Sequence, residues 1–268
     1  MQNSTLPYTV EFKTRETIRG FFRIPEFEVQ RLGEAVLQAS YTIVAPAAYR
    51  LKWKSIHVDI EPEVRTTGDE TTWIWTAAKL AAKPVETNHA CFANQYAEVL
   101  FAPEKVKIDQ YTGDLSTCTE AGRFFYTLNR DRDNLPADVQ TLVRSLTAQA
   151  RNNREKIDIL YRYLQANQRY VSIQLGIGGW QTFDVTFVND KKYGDCKALS
   201  NYMKALLKAV NITAYQALVF ANAAGAPVID AELAVPRFNH VLLFVPGRHR
   251  QPPRLLSYAR HGTGPDRA

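Results

Sequence analysis

Cys196 lies in the run Tyr193-Gly194-Asp195-Cys196-Lys197, directly ahead of ALSNYMKALLKAV. From Leu199 to Val210 the apolar residues Leu199, Tyr202, Met203, Leu206, Leu207 and Val210 recur at steps of three and four, which predicts one buried helix face. The cysteine therefore stands in the first turn of a helix. Gly194 permits a sharp turn into that helix, and Asp195 can cap its exposed amides. The helix dipole there favours a negative charge on the thiol. Thiols so placed have pKa values of roughly 3.5–7.5 rather than ~8.5, so a thiolate is expected. On position alone, a small buried residue is an equal reading. Downstream, Phe238-Asn239-His240-Val241-Leu242-Leu243-Phe244-Val245 reads as a strand with a histidine near its head. A helix-borne cysteine and a strand-borne histidine are the two parts of a thiol nucleophile: one attacks, the other takes and returns the proton.

The run IQLGIGGWQTFDVTFVNDKKYGDCKALSNYMKALLKAVNITAYQALV, followed by FNHVLLFVP, resembles the core of the transglutaminase-like superfamily. It is most similar to the bacterial branch in which that core follows a β-rich domain of unknown function. The resemblance extends over roughly the whole chain and rests on motifs between Tyr170 and Pro246. It implies a triad of a cysteine at a helix start, a histidine on a strand and an acid on the next strand. Cys196 matches the nucleophile and His240 the base. It also implies aromatic or amide groups upstream of the cysteine that shape the acyl site, for which Gln174 and Trp180 are the candidates; a plain structural turn fits both equally.

The third triad position departs from the pattern. No Asp or Glu occurs from Val241 to Pro265, where the family carries a Trp-Leu-acid-x-Thr segment. The chain instead ends in GRHRQPPRLLSYARHGTGPDRA, without strand periodicity. The expectation is a foreign, out-of-frame ending on a shortened core. Two consequences follow from that expectation. His240 lacks the partner that fixes its tautomer, a loss of about 10⁴ in rate in Ser-His-Asp enzymes. The core sheet also lacks a strand and exposes an edge.

The elements that would hold these residues are legible in outline. From Tyr8 to about Tyr126 the chain reads as short strands: Tyr8–Phe12, Ser40–Val44, Leu51–Trp53 with Ile56, Val58 and Ile60, and Thr71–Thr76. Proline and Gly68-Asp69 punctuate them. Trp53, Trp73 and Trp75 are read as sheet-face packing rather than a binding face. Arg19, Arg23 and Arg31 are read as solvated surface charges. A charged link at Arg130–Pro136 precedes two helices, one opened by Pro136 with Val139, Leu142, Val143 and Leu146 inward, the other from about Asn153 with Ile157, Leu160, Tyr161 and Leu164 inward. Tyr170–Leu175 reads as extended. Gly176-Ile177-Gly178-Gly179 lacks the spacing of a phosphate loop and is read as close backbone approach beside Cys196. Asn211–Ala214 turns the chain into a strand Tyr215–Phe220.

Composition bounds the rest. The 268 residues, 46% of them hydrophobic, suffice for one large or two ordinary domains. Of the net charge of +6, five arginines against one aspartate in residues 247–268 carry most, and no basic stripe with interleaved aromatics remains, so nucleic-acid binding is not indicated. Three cysteines without metal-ligand spacing leave at most a Cys91–Cys118 pair, and His89 with Cys91 is too little for a metal site. No cofactor is required. No apolar run spans a bilayer. The start has no secretory leader, which places the chain in the cytoplasm as written, or in the envelope or periplasm if the natural start lies upstream.

The expected fold is therefore α+β, with a β-sandwich-like N-terminal domain over residues 1–130, a transglutaminase-like (papain-like cysteine) core over 135–246 and an atypical basic tail over 247–268. The expected function is thiol acyl transfer or amide hydrolysis on a protein or peptide substrate, impaired by the missing acid. The alternative is a non-catalytic polypeptide-binding module or an inactive fragment.

Overall fold

The computed structural model of the chain describes residues 8–18, 23–84, 96–221, 233–247 and 253–257. Eight strands come first: β1 (Phe27–Gln30), β2 (Val36–Pro46), β3 (Leu51–Ile56), β4 (Glu63–Thr67), β5 (Glu70–Leu80), β6 (Ala97–Pro103), β7 (Lys105–Ile108) and β8 (Tyr111–Asp114). They form two three-stranded antiparallel sheets, β1-β6-β3 and β2-β5-β4, and a β7-β8 hairpin. In β5 the buried residues Thr71, Trp73, Trp75 and Ala77 alternate with more exposed Thr72, Ile74 and Thr76, the period of a sheet with one covered face. The two sheets share one apolar cluster, in which Trp75 meets Phe101 at 4.9 Å and Trp53 at 5.9 Å. The tryptophans thus pack the sheets, as expected. Arg23 and Arg31 are exposed and pair with Glu26 and Glu28; Arg19 lies outside the described residues.

Three expectations for this half change. Tyr8–Phe12 is not a strand: none of the described residues pairs with it, and Phe12 is exposed. The run through Val58 and Ile60 stops at Ile56, because His57 takes a left-handed turn at φ 54°. The segment before Tyr126 is a helix, α1 (Cys118–Leu128), capped by Thr117, whose side chain accepts from the Glu120 amide. Its aromatic and threonine content suggested strand, but Phe124 and Leu128, one turn apart, turn inward together.

The second half holds α2 (Ala137–Leu146), α3 (Asn153–Asn167), β9 (Arg169–Tyr170), α4 (Val185–Lys191), β10 (Tyr193–Gly194), α5 (Cys196–Lys208), β11 (Tyr215–Val219), β12 (His240–Val245) and β13 (Arg254–Leu256). α2 starts directly after Pro136 and α3 at Asn153, as expected, but of the expected α2 stripe only Val139 and Val143 are buried, while Leu142 and Leu146 are exposed. α5 is enclosed rather than amphipathic: Ala198, Leu199, Tyr202, Met203, Leu206 and Leu207 share a core with α2, α3, α4 and β12. Lys197, Ser200 and Asn201 are buried too and are bonded, except at the Asn201 Oδ1. Ser200 Oγ donates to the Val241 carbonyl at 3.3 Å and Asn201 Nδ2 to the Arg132 carbonyl at 2.7 Å.

The Tyr170–Leu175 run is extended, but only Arg169–Tyr170 pairs, in parallel with β10. One expectation changes in the described part of the tail, residues 253–257. β13 pairs antiparallel with β12, Leu243 facing Leu256 and Val245 facing Arg254, and so covers an edge expected to be bare. Three residues are too short for periodicity to reveal. They are held from outside the sheet by Arg254 Nη1 on Asp158 Oδ1 at 2.7 Å and by the Tyr161 hydroxyl, which donates to the Ser257 carbonyl. Among the described residues, no helix is long and apolar enough to cross a membrane.

Candidate active site

The site is assembled where the tip of α5 meets the head of β12. Asp195 is the N-cap of α5: its Oδ1 accepts from the Ala198 amide at 2.9 Å, and its Oδ2 receives the Lys197 ammonium. Both side chains of this ion pair are buried, at 2% and 8% exposure. Gly194 must be glycine for space: a Cβ there would stand 2.7 Å from the Ala198 Cβ. Cys196 follows, 4% exposed.

Hydrogen bonding from three groups bears on the titration of the Cys196 thiol. Two are backbone amides, from Lys197 in its own helix and from Val241 in β12. The third is the hydroxyl of Tyr170, which also contacts Ser172. Tyr170 arrives through the β9–β10 pair, where it stands opposite Gly194 and the Val171 amide donates to the Gly194 carbonyl at 3.0 Å. The expected thiolate is nevertheless not the favoured form. Burial pushes the Cys196 thiol up and the Asp195 carboxylate adds to this; Lys197 and the two amides pull down without cancelling it.

His240 opens β12 opposite Val219 of β11. The strand's start is pinned by Asn239, whose side chain accepts from the Ala221 amide at 2.7 Å and donates to the Ala221 carbonyl at 3.0 Å. The ring is half-buried, and burial lowers its pKa from the ordinary 6.5. Its Nε2 lies 3.1 Å from Ser257 Oγ. Among the described residues no hydrogen bond joins Cys196 to His240; Val241, whose amide lowers the pKa of the Cys196 thiol, is the chain neighbour of His240. The resting site favours a neutral thiol and a neutral imidazole.

Gln174 is exposed, and Trp180 is half-buried. Trp180 packs at 5.4 Å, edge to face, on Phe238, two residues before His240, and both rings border Phe125. Its visible part is to buttress the lead-in to β12. The glycine loop forms one 3₁₀ turn, Gly176–Gly179; nothing approaches Gly178, so the expected close backbone approach is absent there, and only Gly176, at φ 55°, needs glycine for its conformation. Sequence reasoning missed Tyr170, Lys197 and Ser257. Among the described residues no three His, Cys, Asp or Glu side chains converge as a metal site. His89 and Cys91 lie outside the described residues, and Cys118 is exposed.

A family model described as a domain of unknown function with a solved structure, DUF3857, matches residues 1–84. A search of curated proteins returns no significant match. Among solved structures, the chain is similar to a protein of Parabacteroides distasonis described as a candidate protease, at 14% identity and a TM-score of 0.61 over 88% of this chain. This chain spans 43% of the length of that structure, and the two share a fold. A candidate cysteine protease of Cytophaga hutchinsonii matches at 14% identity, covering 89% of this chain and 86% of the other, at a TM-score of 0.32. The periplasmic domain of TgpA from Pseudomonas aeruginosa matches at 12% identity, covering 88% and 75%, also at 0.32.

Proposed function

We propose that the chain carries a transglutaminase-like core, residues 135–246, behind a β-sandwich-like domain, residues 1–130, and acts as a thiol acyl transferase or amidase on protein or peptide amides. The observation that carries this reading is the seat of Cys196: first in α5, its sulfur under the Val241 amide, one residue from His240. In this mechanism His240 takes the thiol proton as the sulfur attacks the amide carbon. The carbonyl becomes an oxyanion, received by donors at the helix start, the Cys196 backbone amide and the Tyr170 hydroxyl. The intermediate collapses, the C–N bond breaks, and His240 returns the proton to the leaving amine. The thioester then passes its acyl group to a second amine or to water, regenerating the thiol. No cofactor enters.

The test is incubation of the protein with a glutamine-containing polypeptide and a fluorescent primary amine. Incorporation of the amine marks transfer, and release of ammonia or peptide marks hydrolysis. Both should vanish in Cys196→Ala and fall by about 10²–10⁴-fold in His240→Ala, with unfolding midpoints unchanged. A second reading, a non-catalytic polypeptide-binding module, draws support from the buried, proton-holding thiol and from the absence of any carboxylate between Val241 and Pro265. It requires peptide binding that survives Cys196→Ala and no turnover in either assay.

A further inference from the structure

His240 has a partner where the sequence offers no acid. β13 runs back along β12, and continuing its register sets Ser257 across from Leu242, one diagonal step from His240. Ser257 Oγ lies 3.1 Å from His240 Nε2. The residue is not left to a loose end of chain. Its carbonyl accepts from Tyr161, and Arg254, three residues earlier, is paired with Asp158. Asp158 and Tyr161 are one turn apart on α3, so a single helix face fixes the strand that presents the hydroxyl.

We propose that Ser257 is the positioning residue of the His240 base: its Oγ accepts from Nε2–H, which fixes the ring plane and leaves the Nδ1 lone pair to take the thiol proton. This rests on the acyl-transfer reading. A hydroxyl, unlike a carboxylate, orients the imidazole without adding charge to stabilise the imidazolium. Thiol chemistry tolerates that substitution, as the neutral third member of Cys-His-Asn proteases illustrates.

The experiment combines ¹⁵N-imidazole spectra with turnover for the full chain and for Ser257→Ala and Ser257→Thr, the His240 signals being assigned by their loss in His240→Gln. In the unsubstituted protein, above the titration of the ring, the Nε2–H tautomer should dominate. Ser257→Ala should mix the tautomers and lower kcat roughly 5- to 10-fold, the weight of one neutral hydrogen bond, with KM little changed. Ser257→Thr, which keeps the hydroxyl, should restore both. A tautomer and kcat indifferent to Ser257→Ala, or a loss that threonine does not rescue, would overturn the proposal. The two readings fail separately. Turnover that needs His240 but ignores Ser257 sinks the positioning role alone; a Ser257-dependent tautomer in a protein with no turnover upholds the contact and sinks the acyl-transfer reading.

Discussion

Burial opposes the charge that a helix N-terminus would otherwise lend to Cys196. With 4% of the residue exposed and the Asp195 carboxylate adjacent, the thiol holds its proton, and the half-buried His240 stays neutral. The sign of the pH dependence follows. In the proposed mechanism His240 becomes a competent base as pH rises through its pKa, so the acid limb of kcat/KM should fall below pH 6.5, the ordinary imidazole value. Alkylation of Cys196 by iodoacetamide should rise only at a pH above that of an ordinary thiol's titration. A labelling midpoint near neutrality would instead indicate a resting thiolate–imidazolium pair. Tyr170→Phe should lower kcat about 10²-fold if its hydroxyl serves the oxyanion, with KM nearly constant. Cys196 at a helix start and His240 at a strand head were legible in the sequence from their types and setting. Tyr170 was not, because two-residue strands announce neither their pairing nor its register.

At the scale of elements, the tip of α5 is the most constrained part of the fold. Gly194→Ala drives a methyl to 2.7 Å from Ala198, and should cost about 1–3 kcal/mol of unfolding free energy in urea. Asp195→Ala removes a cap and strands the buried Lys197 ammonium, at a cost of about 3–5 kcal/mol. The pair Asp195→Ala with Lys197→Met should recover most of that loss, whereas additive losses would deny the buried pair its role. Helices α2, α3 and α5 were legible from apolar spacing and caps. The enclosure of α5 was not, since Ser200, Asn201 and Lys197 read as solvent-facing until partners from Arg132, Val241 and Asp195 close around them. β13 was hidden for a different reason: its place depends on an edge of β12 and on α3, not on its own three residues.

Across the whole molecule, the N-terminal sheets act as a wall for the histidine strand. Glu98 on β6 pairs with Arg237 at 2.7 Å, both largely buried, and Leu233 packs on Leu100 and Ala102 of the same strand. Phe238 meets Phe125 of α1 at 5.2 Å. The residues just before His240 are thus clamped by a region that showed no chemistry in its sequence, through contacts between positions far apart in the chain. Glu98→Ala should cost about 3–5 kcal/mol and depress turnover as well, by releasing Arg237 and the strand it leads into. Equal stability loss with unchanged kcat would show that the wall supports the fold but not the site.

The most direct measurement is intact-protein and tryptic mass spectrometry after single-turnover exposure to an activated peptide ester. The account predicts one acyl adduct, mapped to Cys196, absent in Cys196→Ala and formed more slowly in His240→Ala. An adduct that persists in Cys196→Ala, or no adduct in the unsubstituted protein, would contradict it.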